Sequence, residues 1–242
     1  MYNPIETKEH EKATIKIYTD DDPHEGPRDW DNLGTMLCFH GRYNLGDSDA
    51  QDDLNERYDS DDFEDWDAME QALIKQEDIA VILPLYLFDH SGITIRTGPF
   101  SCPWDSGQVG FVFVTKDKLR KEFNRKRLST KILTKAEGIL CSEVKVYDQY
   151  LTGDIYGFVI EDKSGEQVDS CWGFYGMELV LQEAYNVIKH YDEKARCSSC
   201  GEEPSNREAA NFHNGEYYCG DCLDVAQSTK HCSCCGAEKQ AR

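Results

Sequence analysis

Apolar and polar positions change period several times along the chain, and each change marks an element. Residues 13–19 (ATIKIYT) alternate, with Ile15 and Ile17 on one face, which predicts a strand. Residues 20–32 hold two prolines and a glycine and predict a loop; Gly34–His40 (GTMLCFH) predicts the next strand. Phe63, Trp66, Met69, Leu73 and Ile74 recur at helical spacing, with Asp61 or Asp62 as cap and Lys75 in the last turn. The apolar run from Ile79 to Phe88 predicts a buried strand, bent or ended at Pro84, with Gly92–Thr97 as its hairpin partner. Val109–Thr115 predicts a further strand. One helix is expected to start near Lys116 and a second to run from about Ser129 to Val146. DIYGFVIED and EQVDSCWGF, joined across Lys163–Gly165, read as a hairpin. Met177–Tyr191 reads as an amphipathic helix with Leu179, Val180, Ala184, Val187, Ile188 and Tyr191 in one stripe. Strands and helices mix without regular β-α-β alternation. The expected fold class is therefore α+β: a mixed, largely antiparallel sheet with flanking helices. There is no internal repeat of solenoid period.

Cysteine placement changes this picture at the C-terminal end. The chain has eleven cysteines, and seven lie between Cys197 and Cys235. Cys197 and Cys200 form one Cys-x-x-Cys pair, and eighteen residues later Cys219 and Cys222 form another. Each such knuckle aims two thiolates at one ion, and two knuckles complete the tetrahedron that zinc takes. Gly201 permits the tight turn after the first knuckle, and FHNGEYYC reads as a hairpin with Asn214-Gly215 at its tip. The second pair stands at a predicted helix start, where the dipole favours thiolates. His213, His231, Cys232, Cys234 and Cys235 are the donors for a possible second zinc site. The expected division is 1–193 as the α+β domain and 194–242 as a zinc-finger module. That module resembles a treble-clef finger of the LIM or RING kind, which implies protein interaction as readily as nucleic-acid binding.

Charge narrows the partners. The formal net charge is −20 and the pI near 4.6, a surface that repels nucleic acid and anionic membrane and attracts basic proteins. From Asp47 to Glu70 the chain places twelve carboxylates against Arg57. Asp47, Asp49, Asp52, Asp53, Glu56, Asp59, Asp61, Asp62, Glu64 and Asp65 are the candidate contact residues. On a helix rising about 1.5 Å per residue, carboxylates at this density match the roughly 3.4 Å phosphate spacing of a DNA strand. The plainer reading of the run is a solvated acidic loop. From Lys116 to Lys135 the sign reverses: nine basic residues against Asp117 and Glu122, either neutralising the acidic run or forming a separate contact face. The polar N-terminus MYNPIETKEHEK has no signal-peptide pattern, and the longest apolar run is far shorter than the roughly 20 residues of a membrane span. A soluble, cytoplasmic protein is expected.

Catalytic patterns are sparse. His40, Asp89 and His90 at strand ends, with Asp47, Asp105 or Asp154 adding carboxylates, suit a metal-dependent hydrolase or nuclease; turn capping is the commoner role for such residues. Cys102 in SCPWDSG, and Cys38 two residues before His40, suggest a thiol–imidazole nucleophile or, with His40, a metal set. Free cysteine is by default a small buried hydrophobe. LGDS, TGPFS and SGQVG lack the context of a phosphate loop.

Four segments carry a resemblance: DWDNLGTMLCFHGRYNLGD, LPLYLFDHSG, FSCPWDSGQVGF and YDQYLTGDIYGFVIED. Together they resemble a family of uncharacterised proteins carried by phages, prophages and plasmids. The resemblance covers nearly all of the N-terminal domain and lends no catalytic residue. It implies a mobile-element setting, in the host cytoplasm, where small acidic proteins block host defence systems. The leading expectation is thus a non-enzymatic accessory protein that binds and inhibits a host defence factor. The rivals are the hydrolase reading and a zinc-finger interaction adaptor.

Overall fold

The computed structural model of the chain describes residues 3–11, 13–23, 25–47, 54, 57–58, 62–194, 211–213 and 216–218. The elements in order are β1 (Glu6–Glu9), β2 (Ala13–Thr19), β3 (Thr35–Cys38), α1 (Trp66–Gln76), β4 (Ile79–Asp89), β5 (Ile93–Arg96) and β6 (Ser106–Thr115). They continue as α2 (Lys116–Glu122), α3 (Thr130–Thr152), β7 (Ile155–Asp162), β8 (Gln167–Tyr175), α4 (Met177–Lys194), β9 (Asn211–His213) and β10 (Glu216–Tyr218). The expected α+β class holds, with two four-stranded sheets and flanking helices. Backbone contacts group the chain into two compact units. The first holds Met1–Thr7, Lys16–Val159 and Ser170–Val180; the second holds Lys8–Ile15, Ile160–Asp169 and Leu181–Arg242. No helix among the described residues is long and apolar enough to cross a membrane.

The first unit is organised around a sheet of order β3-β6-β4-β5, antiparallel throughout. Strand β6 is central, and this explains its near-continuous apolar run: Val109 to Val114 are all buried or are the glycine between them. Alternation still sorts the side chains. Leu37, Phe111 and Phe113 face Met69 and Leu73 of α1. Met36, Val112 and Val114 face Ala136, Leu140 and Val144 of α3. The period-2 strand and the 3.6-residue helices thus meet in a helix–sheet–helix sandwich.

Several predicted boundaries move. Helix α1 is capped by Asp65, whose Oδ1 accepts from Ala68 N at 2.8 Å, and not by Asp61 or Asp62. Four acids lie within five positions here, so packing of Trp66 and Met69 selects the cap. Ile74, expected in the apolar stripe, lies at the exposed edge of the helix. Helix α3 runs past Val146 to Thr152 and stops at Gly153, which adopts the left-handed conformation (φ 72°). Pro84 does not end β4: it sits opposite Phe111, one position before a register shift. Strand β5 pairs only with Tyr86–Asp89, so no described strand asks Pro84 for a backbone N–H.

The other four-stranded sheet has the order β1-β2-β7-β8. Within the first unit, Ile17, Ile155 and Phe158 are buried and Phe158 stacks on Phe174 at 5.6 Å. Within the second, the expected β7–β8 turn is built by Asp162, whose Oδ1 accepts from Ser164 N, Ser164 Oγ and Glu166 N. Ala184 and Ile188 of α4 are buried as expected, whereas Leu179, at the helix start in the first unit, is 44% exposed. Strands β9 and β10 pair antiparallel with Glu216 opposite His213, the hairpin expected around 214–215. Helix α4 is described as far as Lys194, and of the expected 194–242 module the described residues beyond it are 211–213 and 216–218.

Candidate functional site

Antiparallel pairing brings distant residues of the first unit to one end of its sheet. Cys38 at the end of β3 lies opposite Gly110, and Phe88 near the end of β4 lies opposite Ser106. The segments leaving β3 and β4 therefore meet the segment entering β6. His40 and Arg42 arrive from the first, Asp89 and His90 from the second, and Cys102, Trp104 and Asp105 from the third. Between them is a cavity of about 430 Å³ lined by His40, Arg42, Asp89, Trp104, Asp105 and Gln108, among others. Its size falls in the range of small-ligand sites.

Hydrogen bonds fix most of these side chains in turn-building roles. His40 Nδ1 accepts from the backbone N–H groups of Arg42 and Tyr43, both at 3.3 Å, and its ring stacks on Tyr43 at 5.0 Å. Tyr43 Oη donates to Asp89 Oδ1 at 3.4 Å. Arg42 Nη2 stands 3.0 Å from Asp89 Oδ2, yet that buried oxygen receives no directed hydrogen bond. His90 Nδ1 and Cys102 Sγ both approach Asp105 Oδ2, at 3.5 and 3.6 Å. Ser91, with φ 58°, makes the tight turn behind His90. Trp104 is 92% exposed, the most exposed large apolar side chain among the described residues.

This geometry bears on each catalytic candidate. His40 and Asp89 do share the cavity with Asp105, but His40 Nδ1 is used as an acceptor by the backbone and Asp89 faces a cation of the chain itself. Among the described residues no group of three or more His, Cys, Asp or Glu is arranged to hold a metal ion. Cys38 is not an activated nucleophile beside His40. It packs in the core against α3, and burial, then the Asp47 charge, push its thiol up to about 12. Asp154 lies beyond α3, accepting from Gln149 Nε2 at 3.0 Å, away from the cavity lining.

The acidic candidates separate as well. Asp62, Glu64 and Asp65 are exposed around the start of α1, and Asp67 extends that face. Burial, and then the Asp67 charge, raise the Glu70 carboxyl above its ordinary value. Asp47 is different. Its carboxylate takes Arg28 Nε at 2.6 Å, Arg28 Nη2 at 2.9 Å and Met36 N at 3.0 Å, and so belongs to the interior. Glu143 of α3 adds to this cluster: its oxygens accept from Leu33 N and Gly34 N, at 2.7 and 2.9 Å. A side chain at position 34 would collide with Glu143 and Leu140, so glycine lets the loop close on α3. Asp49, Asp52, Asp53, Glu56, Asp59 and Asp61 lie outside the described residues. So do Cys197, Cys200, Cys219, Cys222, His231, Cys232, Cys234 and Cys235, while of His213 only the β9 backbone is described.

The basic stretch makes local ion pairs and leaves other cations exposed. Lys116 pairs with Asp78 and Arg120 with Asp117. Lys121, Arg125, Lys126, Arg127 and Lys131 are exposed around the α2–α3 turn. Sequence reading missed Trp104 as a surface feature; SCPWDSG shows a tryptophan in a loop of small and polar residues, which was the available signal. Comparison with family models, curated proteins and solved structures finds no match to this chain.

Proposed function

We propose that this chain is a non-catalytic binding protein that engages a basic, nucleic-acid-handling host protein through carboxylate-rich surface. The observation that carries the reading is the outward acidic face at the start of α1, formed by Asp62, Glu64, Asp65 and Asp67 in a chain of net charge −20. Such a field accelerates encounter with a positively charged groove and disfavours nucleic acid itself. The roles of His40, Asp89 and Asp105 in turns and ion contacts favour binding over hydrolysis. A partner among host defence factors is in keeping with the resemblance to phage and plasmid proteins read from the sequence. In the same proposal the C-terminal module binds zinc through Cys197, Cys200, Cys219 and Cys222, and the β9–β10 pairing between the two knuckles supports that arrangement.

The test is affinity capture of host proteins with the full chain and with a Glu64→Lys/Asp65→Asn/Asp67→Lys variant. A partner held at low salt should be released as the Debye length falls from about 8 Å toward 3 Å, and should be lost to the variant. A partner retained equally by the variant at high salt would reject the electrostatic reading. Metal analysis of the purified chain should find at least one zinc, and one fewer after Cys197→Ser/Cys200→Ser.

A further inference from the structure

The cavity at the ends of β3 and β4 is not used by the acidic face of α1, and three of its features point to one kind of ligand. The first is charge. Two carboxylates, Asp89 and Asp105, stand against the single guanidinium of Arg42. An anionic ligand would meet both carboxylates within a chain that is itself strongly negative. The second is an unmet acceptor. Asp89 Oδ2 is buried without a hydrogen-bond partner, although Arg42 Nη2 lies 3.0 Å away, and Arg42 is 75% exposed. The guanidinium that sits there stands largely in solvent, where a ligand guanidinium can compete with it for this oxygen. The third is the wall. Trp104 presents its indole almost wholly to solvent at the cavity edge, so the face of the ring is available to a ligand seated there.

A guanidinium satisfies all three conditions together. Its planar fork donates to carboxylates, and its face stacks on an indole with cation–π attraction. The same region already pairs guanidinium with aromatic rings. Arg96 lies 3.9 Å above the Phe100 ring, and Arg42 lies 5.9 Å from the centre of the Tyr43 ring. We infer that this cavity is a receptor for an arginine side chain, seated between the Trp104 indole and the carboxylates of Asp105 and Asp89. Arg42 is its resident competitor. The identification of the arginine's owner as the basic partner rests on the function proposed above; the site itself does not.

The probe is N-acetyl-arginine amide, titrated into the full chain while the indole N–H resonance of Trp104 is followed, assigned with Trp104→Phe. Citrulline amide, a neutral isostere, and a neutral oligosaccharide serve as comparisons. The arginine probe should shift the Trp104 signal saturably, and citrulline and sugar should not. Trp104→Ala and Asp105→Asn should each weaken binding about tenfold, read from a second reporter such as calorimetry. Arg42→Ala should strengthen it by vacating Asp89. Trp104, Asp105 and Arg42 are all at least two-fifths exposed, so the variants keep the fold, checked by unchanged amide spectra. No response to arginine in either the natural chain or Arg42→Ala would overturn the inference, as would an equal response to citrulline or sugar. The α1 charge variant should lose the host partner yet keep arginine binding, so failure of one proposal is distinguishable from failure of the other.

Discussion

Two arginine–aspartate pairs in the first unit have the same chemistry and opposite fates. Arg28 and Asp47 are 7% and 19% exposed and meet through two directed bonds, with Gly34 O taking a further guanidinium proton. Arg42 and Asp89 are 75% and 22% exposed and meet at a single close approach without hydrogen-bond geometry. The first pair locks the loop before β3 to the strand and to α3. The second leaves the Arg42 guanidinium largely in solvent, while Asp89 is held by Tyr43. Residue type therefore says little about the role of an ion pair; desolvation and the number of directed bonds decide it.

The difference can be broken most forcefully at Arg28. Arg28→Ala strands the Asp47 and Glu143 carboxylates in the interior and should cost about 3–5 kcal/mol in urea unfolding. Tyr147→Phe comes next. The buried Tyr147 hydroxyl accepts from Gly46 N at 3.0 Å, and removing it orphans that N–H beside Asp47, at a cost of about 1–3 kcal/mol. At the small end, Arg42→Ala should change stability by less than about 0.5 kcal/mol. Double-mutant cycles on the two pairs would sharpen the contrast, with coupling well above 1 kcal/mol, in order of magnitude, for the buried pair alone.

An alkaline titration probes the same interior. Burial pushes the Cys38 thiol from 9.0 and the Tyr147 phenol from 10.0 up to about 12. Both groups keep their protons in the fold after the unfolded chain has lost them. Their contribution to stability is complete below pH 9, falls between about 9 and 12, and is gone above that. Cys38→Ala should flatten the lower part of that fall. Alkylation of the folded chain near pH 8 should reach exposed Cys141 and Cys171 and spare Cys38.

Much of the fold was legible because its causes are local. The apolar run of β6 announced a strand, and Asn214-Gly215 announced the β9–β10 hairpin. Asp65 was harder, since neighbouring acids are equally good caps and only the packing of α1 separates them. The inward turn of Asp47 was illegible. Its partner lies nineteen positions earlier, and Glu143 reaches Leu33 and Gly34 across 110 and 109 positions. An acidic run seen only as a run counts such a residue as surface. At the cavity, His40, Asp89 and Cys102 could be picked out by type. Their shared end of the sheet followed from strand order, and the importance of Trp104 from its exposure.

Pro84 carries a consequence for how the protein behaves in a crowded cell. It stands in the stretch Ile79–Leu85, a β-prone apolar segment that no described strand covers on the side away from β6. An apolar margin without a strand beside it is a template for like segments from neighbouring molecules. A ring in place of an amide hydrogen interrupts the template midway, so the proline acts as a gatekeeper. Pro84→Thr should leave the monomer folded and shorten the lag before thioflavin-positive aggregates form.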